Sequence, residues 1–135
     1  MTAVEAPAAP SQNSFLAFDF GTKRIGVATG SRFSGRAEPL RSIAGASPFE
    51  AIAALIKEWQ PDALVIGVPF HPDGAEHETT QRARRFGRQL HGRFRLQVHE
   101  VDERYTSVEA ESYGVKDVDA ASAALILEQF LREDR

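Results

Sequence analysis

Three places in the chain put carboxylates where an apolar segment meets solvent, and a carboxylate there is costly unless water or a cation attends it. Asp19 stands one residue before the end of Ser14–Phe20, a short run of aromatic and aliphatic residues. Asp102 and Glu103 follow the expected strand Leu96–Val101, and Asp119 lies at the start of the small, apolar segment Val118–Leu131. Each has a plainer role open to it. Asp19 can cap the turn at Gly21, Asp102 and Glu103 can form a solvated acidic turn, and Asp119 can accept hydrogen bonds from the free N–H groups of a helix start. Because side chains alternate along a strand, only one of Asp102 and Glu103 can share a face with Asp19. Brought together, carboxylates from two strand ends and a helix start make an oxygen-only site suited to Mg2+ or Mn2+. Such a site suits phosphodiester hydrolysis without a protein nucleophile.

Basic residues stand near these acids in the sequence. In Asp19-Phe20-Gly21-Thr22-Lys23-Arg24 a glycine sits where the backbone must turn tightly, and Lys23 and Arg24 fall at the tip, an arrangement that suits a phosphate beside a metal. Between Thr79 and His99 there is no acidic residue, yet the stretch carries Arg82, Arg84, Arg85, Arg88, Arg93 and Arg95. Ala83, Phe86 and Leu90 give this segment one apolar stripe at helical spacing. Arg82, Arg85 and Arg88 fall outside that stripe and are expected to contact the phosphates of a nucleic acid. Arg104 and Thr106, just past the second acidic pair, are further candidates for substrate contact, although Thr106 or Ser107 can equally cap the segment that carries Glu109. The four histidines lack the compact spacing of a zinc site; His71, in a loop after an apolar strand, is the one placed to approach substrate.

The elements that must position these residues follow from pattern. Ser14–Phe20 and Ile25–Thr29 read as a hairpin, and Ala37–Ile43 as a weaker third strand. Ser47-Pro48 opens a helix with Pro at its first position and Phe49, Ile52, Ala53, Ile56 and Trp59 at helical spacing, stopped by Pro61. Ala63–Val68 is a continuous apolar run, as in a strand buried on both faces. The arginine-bearing helix, the strand Leu96–Val101 and the helix Val118–Leu131 complete the order β-β-β-α-β-α-β-α, a mixed α/β sheet. Residues 1–13 are rich in Ala, Pro and Ser without periodicity and are expected to form a disordered, dispensable tail before a single domain over 14–135. With 135 residues and 42% hydrophobic content, one core is affordable and two are not. No run of eighteen apolar residues and no secretion signal is present, so the expectation is a cytoplasmic protein without membrane contact. The absence of cysteine excludes disulfides, thiolate zinc sites and cysteine nucleophiles. The net charge of -3 argues against nonspecific coating of nucleic acid, and the acids and bases are instead segregated along the chain.

Four blocks, LAFDFGTKRIGVA (Leu16 to Ala28), VIGVPFHPDGAEHETTQRARRF (Val65 to Phe86), VDERYTSVEA (Val101 to Ala110) and VDAASAALIL (Val118 to Leu127), resemble in order the signature blocks of the YqgF/RuvX family. The resemblance covers nearly everything after residue 14. It implies a ribonuclease-H-like fold, here a five-stranded sheet of three antiparallel strands followed by two parallel ones, with helices on both faces. It also implies a metal-dependent nuclease, acting in maturation of the 16S ribosomal RNA precursor or on Holliday junctions and single-stranded nucleic acid. Carried over by position, the acidic site is Asp19, Glu103 and Asp119, with Asp102 the second choice for the middle member. The chain departs from the family at Gly30-Ser31, where Ser-Asp is common, and at His71-Pro72-Asp73-Gly74, where Asn-Met-Asp-Gly is common. It also has a short segment, Ser112–Asp117, with Lys116 as its one base. Junction cleavage at two symmetric strands favours a homodimer, whereas trimming an RNA end needs only a monomer. Two other readings compete. The Asp19–Gly26 string also looks like the phosphate loop of actin-like ATPases, but those need a second domain to close over the nucleotide. A non-catalytic nucleic-acid-binding protein would keep the arginine face and gain nothing from carboxylates beside phosphates.

Overall fold

The turn of four residues after Asp19 is too short for a crossover, so the first two strands must run antiparallel; helices then return the chain for the parallel ones. A computed structural model, which describes residues 12–76, 78–103 and 117–133, shows this arrangement. The elements are β1 (Ser14–Asp19), β2 (Arg24–Ser31), β3 (Arg36–Ala44), α1 (Phe49–Trp59), β4 (Ala63–Val68), α2 (Glu78–Phe94), β5 (Val98–Asp102) and α3 (Val118–Glu133). They form one sheet in the order β3-β2-β1-β4-β5. β1 pairs antiparallel with β2 and parallel with β4; β2 pairs antiparallel with β3, and β4 parallel with β5. The order of elements is the one expected.

Alternation along β1 divides the core. Phe15 and Ala17 face α3, where they meet Ala123, Ala124, Ile126, Leu127 and Phe130. Leu16 and Phe18 face the other way, into a cluster built from Ile52 and Leu55 of α1 and Phe86 and Leu90 of α2. Helices thus cover both faces, and all six residues of β4 are buried between them. On the α3 side small residues meet small residues. Ala28 of β2 packs with Ala123 and Ala124, and a Cβ on Gly30 would come within 2.8 Å of the Leu127 side chain.

The margin at β3 is irregular. Its pairing with β2 shifts register between Val27 and Ala28, opposite Arg41 and Pro39, and Arg36, Glu38 and Arg41 are exposed there.

Several details differ from the sequence reading, among them the start of β5 at Val98 instead of Leu96. In α1 the buried residues are Ile52 and Leu55, while Ala53 and Trp59 are exposed; the apolar stripe is rotated toward Leu55. The helix ends because Gln60 adopts a left-handed conformation (φ 46°), its N–H donating to the Ile56 carbonyl, so Pro61 follows a stop already made. The ordered chain begins earlier than Ser14. Asn13 N–H donates to Asp62 Oδ2 (2.7 Å), its carbonyl accepts from Arg32 N–H (2.9 Å), and the Gln12 side chain bonds both Gln97 and His99. Residues 1–11 of the expected tail lie outside the described residues. Among the described residues, no helix is long and apolar enough to cross a membrane.

Candidate active site

Asp19 ends β1 with Gly26 of β2 as its register partner on one side and Gly67 of β4 on the other. Two residues after Ala17, it points toward α3 like Phe15 and Ala17. Neither glycine fills the space beside it, and both vacancies are used. A Cβ on Gly26 would run into the carbonyl oxygen of Asp119, so the first turn of α3 rests directly on the strand. A Cβ on Gly67 would meet the end of Ile126 and come within 2.9 Å of Glu103 Oε2. The row Gly26, Asp19, Gly67 across three adjacent strands is therefore what lets two further acidic residues approach Asp19.

Parity resolves the acidic pair at the end of β5. Val101 packs in the α3-side core, so Glu103, two residues on, emerges on that side and Asp102 does not. The Glu103 and Asp19 side chains are hydrogen-bonded to each other. Burial, reinforced by the negative charge of Asp19 and by this hydrogen bond, pushes the Glu103 carboxyl up to about 9. Burial likewise raises Asp19 to about 6; the bond from Glu103 works against that rise, and Asp119 adds to it. The pair is thus arranged to hold a proton between two oxygens at neutral pH, on Glu103. A hard divalent cation satisfies the same oxygens better, because it removes the repulsion that the shared proton only reduces.

Asp119 stands apart from this pair. The helix cap that its position suggested belongs to Asp117, whose Oδ1 accepts from Ala120 N–H (3.0 Å) while its carbonyl accepts from Ala121 N–H (3.1 Å). Freed of capping, the Asp119 carboxylate takes the Nε–H of Arg24 at 2.8 Å. Among the described residues no three acidic or histidine side chains lie close enough, as placed, to enclose an ion. Asp19 and Glu103 are brought together; Asp119 is adjacent but turned to Arg24.

The basic candidates also separate. Lys23 and Arg24 are exposed at the β1–β2 turn that follows Asp19. Thr80, Ala83, Phe86, Gly87 and Leu90 are the buried residues of α2, and Arg82, Arg85 and Arg88 are exposed as expected. Arg82 is held by Glu78 one turn away (2.7 Å), whereas Arg85 and Arg88 make no ion pair among the described residues. Arg104 and Thr106 lie outside the described residues. Arg84, which the sequence reading did not single out, bonds Glu76 (3.0 Å) and Glu100 (3.3 Å), with its guanidinium 5.4 Å from the Phe70 ring centre. It ties the loop after β4 to α2 and β5, and in sequence it is one more arginine of the block. Within that loop Asp73 is used internally: its Oδ1 accepts from Ala75 N–H (2.9 Å), and His71 N–H donates to the Ala75 carbonyl (2.9 Å).

The chain is similar to known proteins along nearly its whole length. A model of the family described as RuvX: Holliday junction resolvase matches residues 13–133. The chain is 58% identical over 138 residues to a protein of Albidiferax ferrireducens, covering 94% of this chain and 88% of the relative. It is 60% identical over 121 residues to one of a Polaromonas species, covering 88% of each. Both are named "Putative pre-16S rRNA nuclease". Among solved structures, Thermus thermophilus RuvC in complex with a Holliday junction substrate superposes with a TM-score of 0.56 at 13% identity, covering 89% of this chain and 95% of that one. A second Thermus thermophilus RuvC structure gives 0.54 at 12% identity. At that identity the likeness establishes the shared fold, the ribonuclease-H-like sheet with helices on both faces.

Proposed function

The chain belongs to the RuvX Holliday junction resolvase family, and from that membership we propose that it is a nuclease that hydrolyses phosphodiester bonds with Mg2+ or Mn2+ at Asp19, Glu103 and Asp119. The observation that carries this reading is the hydrogen-bonded Asp19–Glu103 pair, set between two glycines at the open end of the central strands. Two acidic side chains held together against repulsion weaken a fold unless a cation uses them. An all-oxygen donor set suits a hard divalent ion, and such an ion, when bound, supplies an activated water and neutralises charge on the phosphate.

The chain's own residues do the rest. Asp19 and Glu103 would give up the proton between them to hold the ion, and the ion so held would place the reacting phosphate relative to the sheet. Arg24 is tied to Asp119 with Lys23 exposed next to it, and Arg85 and Arg88, exposed on α2 over the other face of the sheet, are proposed to bind backbone phosphates farther from the pair. Arg104 and Thr106 are proposed to add to those contacts. The names of the relatives favour the 16S ribosomal RNA precursor as substrate, which the chain would meet in the cytoplasm; the family description favours a four-way junction.

A panel of labelled RNA spanning a 16S precursor end, single-stranded DNA and a four-way junction, incubated with Mg2+ or Mn2+, tests both the activity and its substrate. Cleavage by the parent and none by Asp19→Asn or Glu103→Gln is expected. Binding without cleavage by the parent, or cleavage that survives Asp19→Asn, sinks the proposal.

A further inference from the structure

Asp119 is the member of the acidic trio that already has a cation. Arg24 opens β2 and Asp119 lies in the first turn of α3, 95 positions later, yet their Nε and Oδ2 atoms are 2.8 Å apart. The backbone on both sides is fixed. Gly26, two residues from Arg24, is pressed by the Asp119 carbonyl, and Gly26 is in register with Asp19. What can turn is the carboxylate itself, about its two side-chain bonds, toward Arg24 or toward Asp19 and Glu103. The two partners also differ in access: the Arg24 side chain is 68% exposed and that of Asp119 34%. Of the guanidinium's five N–H donors the bond to Asp119 uses one, and a phosphate matches the fork of the others better than a single carboxylate oxygen does.

We propose that Arg24 is a latch: in the free protein it holds the Asp119 carboxylate on itself, and it releases that carboxylate to the metal centre when a nucleic-acid phosphate takes the guanidinium. Arg24 is then a positioning residue that acts through Asp119, in addition to its contact with phosphate. The inference rests on the metal-centre reading above. It has a reciprocal consequence, since a phosphate that raises metal affinity through the latch must be bound more tightly in turn when metal is present, by the same factor. It also keeps the centre incomplete until substrate arrives, which protects a hydrolytic enzyme from acting on whatever merely diffuses past.

The sign of one substitution separates a latch from a supporting strut. Mn2+ binding is measured by titration calorimetry on the full chain without nucleic acid, for the parent, Arg24→Gln, Arg24→Lys, Lys23→Gln, Asp19→Asn and the double variant Arg24→Gln/Asp119→Asn. Arg24→Gln is expected to bind Mn2+ about tenfold more tightly than the parent. Arg24→Lys, which keeps the charge, should stay near the parent. Lys23→Gln removes an equal charge one residue away and should change affinity by less than about threefold, the scale of an exposed charge. The gain should vanish in the double variant. Weaker or unchanged binding in Arg24→Gln, with binding still lost in Asp19→Asn, overturns the latch and leaves the centre standing. A Lys23→Gln gain equal to that of Arg24→Gln overturns it too, because a diffuse field would then suffice. Absence of Mn2+ binding in every protein removes the metal-centre reading and the latch with it.

Discussion

The Asp19–Glu103 pair makes the metal-free fold bind protons that the unfolded chain releases, and this sets the sign of its pH dependence. Below the ordinary carboxylate range both states are protonated and the pair costs nothing. Above it the unfolded chain is ionised while the folded pair keeps its protons, so stability falls as pH rises. The loss accumulates from 3.8 to about 6 for Asp19 and from 4.5 to about 9 for Glu103. Asp19→Asn removes one of the charges, and in EDTA at pH 7 it should be more stable than the parent by about 1–3 kcal/mol, with the gain shrinking to nothing near pH 4. Calorimetric melts at the two pH values check this; an Asp19→Asn that melts lower at pH 7 would make Asp19 a structural turn residue. Asp19 was legible in the sequence because a carboxylate ending a strongly apolar run stands out. The choice between Asp102 and Glu103 was not, because it depends on parity relative to Val101 in a strand whose start lay two residues later than expected. Nor was the cap of α3, since Asp117 and Asp119 carry the same local signal two positions apart and the backbone, not the residue type, decided for Asp117.

The elements meet the site through glycine and arginine. Gly26→Ala places a methyl group against the Asp119 carbonyl, so α3 must lift from β2, at a cost of about 1–3 kcal/mol or more. Gly92 in α2 has open space where its Cβ would be, and Gly92→Ala should stabilise by about 0.5–1 kcal/mol. Urea melts of the two variants should therefore move in opposite directions, and a neutral Gly26→Ala would show that α3 has slack over the strand. Along α2, Arg85→Ala and Arg88→Ala should each lower the slope of log affinity against log salt by about one unit in EDTA. Arg82→Ala should do less, because its guanidinium is already shared with Glu78. Binding isotherms at several salt concentrations decide between them, and equal slopes for all three would spread the interface over the whole helix. The stripe of α2 was readable from Ala83, Phe86 and Leu90 because its other faces are polar. That of α1 was not, because AIAALI offers apolar residues on every side and only the packing against Phe86 and Leu90 selects Leu55 over Ala53.

At the scale of the molecule, the fold was legible because each strand announces its burial by its own pattern and the short β1–β2 turn dictates the pairing. Its edges were less so, since Gln12 and Asn13 look like the tail that precedes them and are distinguished only by partners distant in sequence. Asn13 and Ser14 N–H groups hold the Asp62 carboxyl below its ordinary range. Removing residues 1–11 should leave the melting midpoint unchanged, whereas removal through Asn13 should lower it by about 2–5 °C at neutral pH. That contribution is present above the ordinary carboxylate range and is lost as pH falls through the lowered value, so the gap between the two truncations should narrow in acid to what the Gln12 and Arg32 contacts contribute. Melts of both at pH 7 and pH 3 test this, and equal midpoints at pH 7 would reduce the Asn13 contacts to ornament.

The irregular margin at β3 also governs how copies of the chain can associate. A strand laid along it from another molecule would meet Pro39, which has no N–H to give, a local break in register, and exposed side chains of both signs at Arg36, Glu38 and Arg41. Growth of one sheet into the next is blocked at that side. Association of two copies is thereby steered to other faces, and strand-by-strand stacking is disfavoured at this edge.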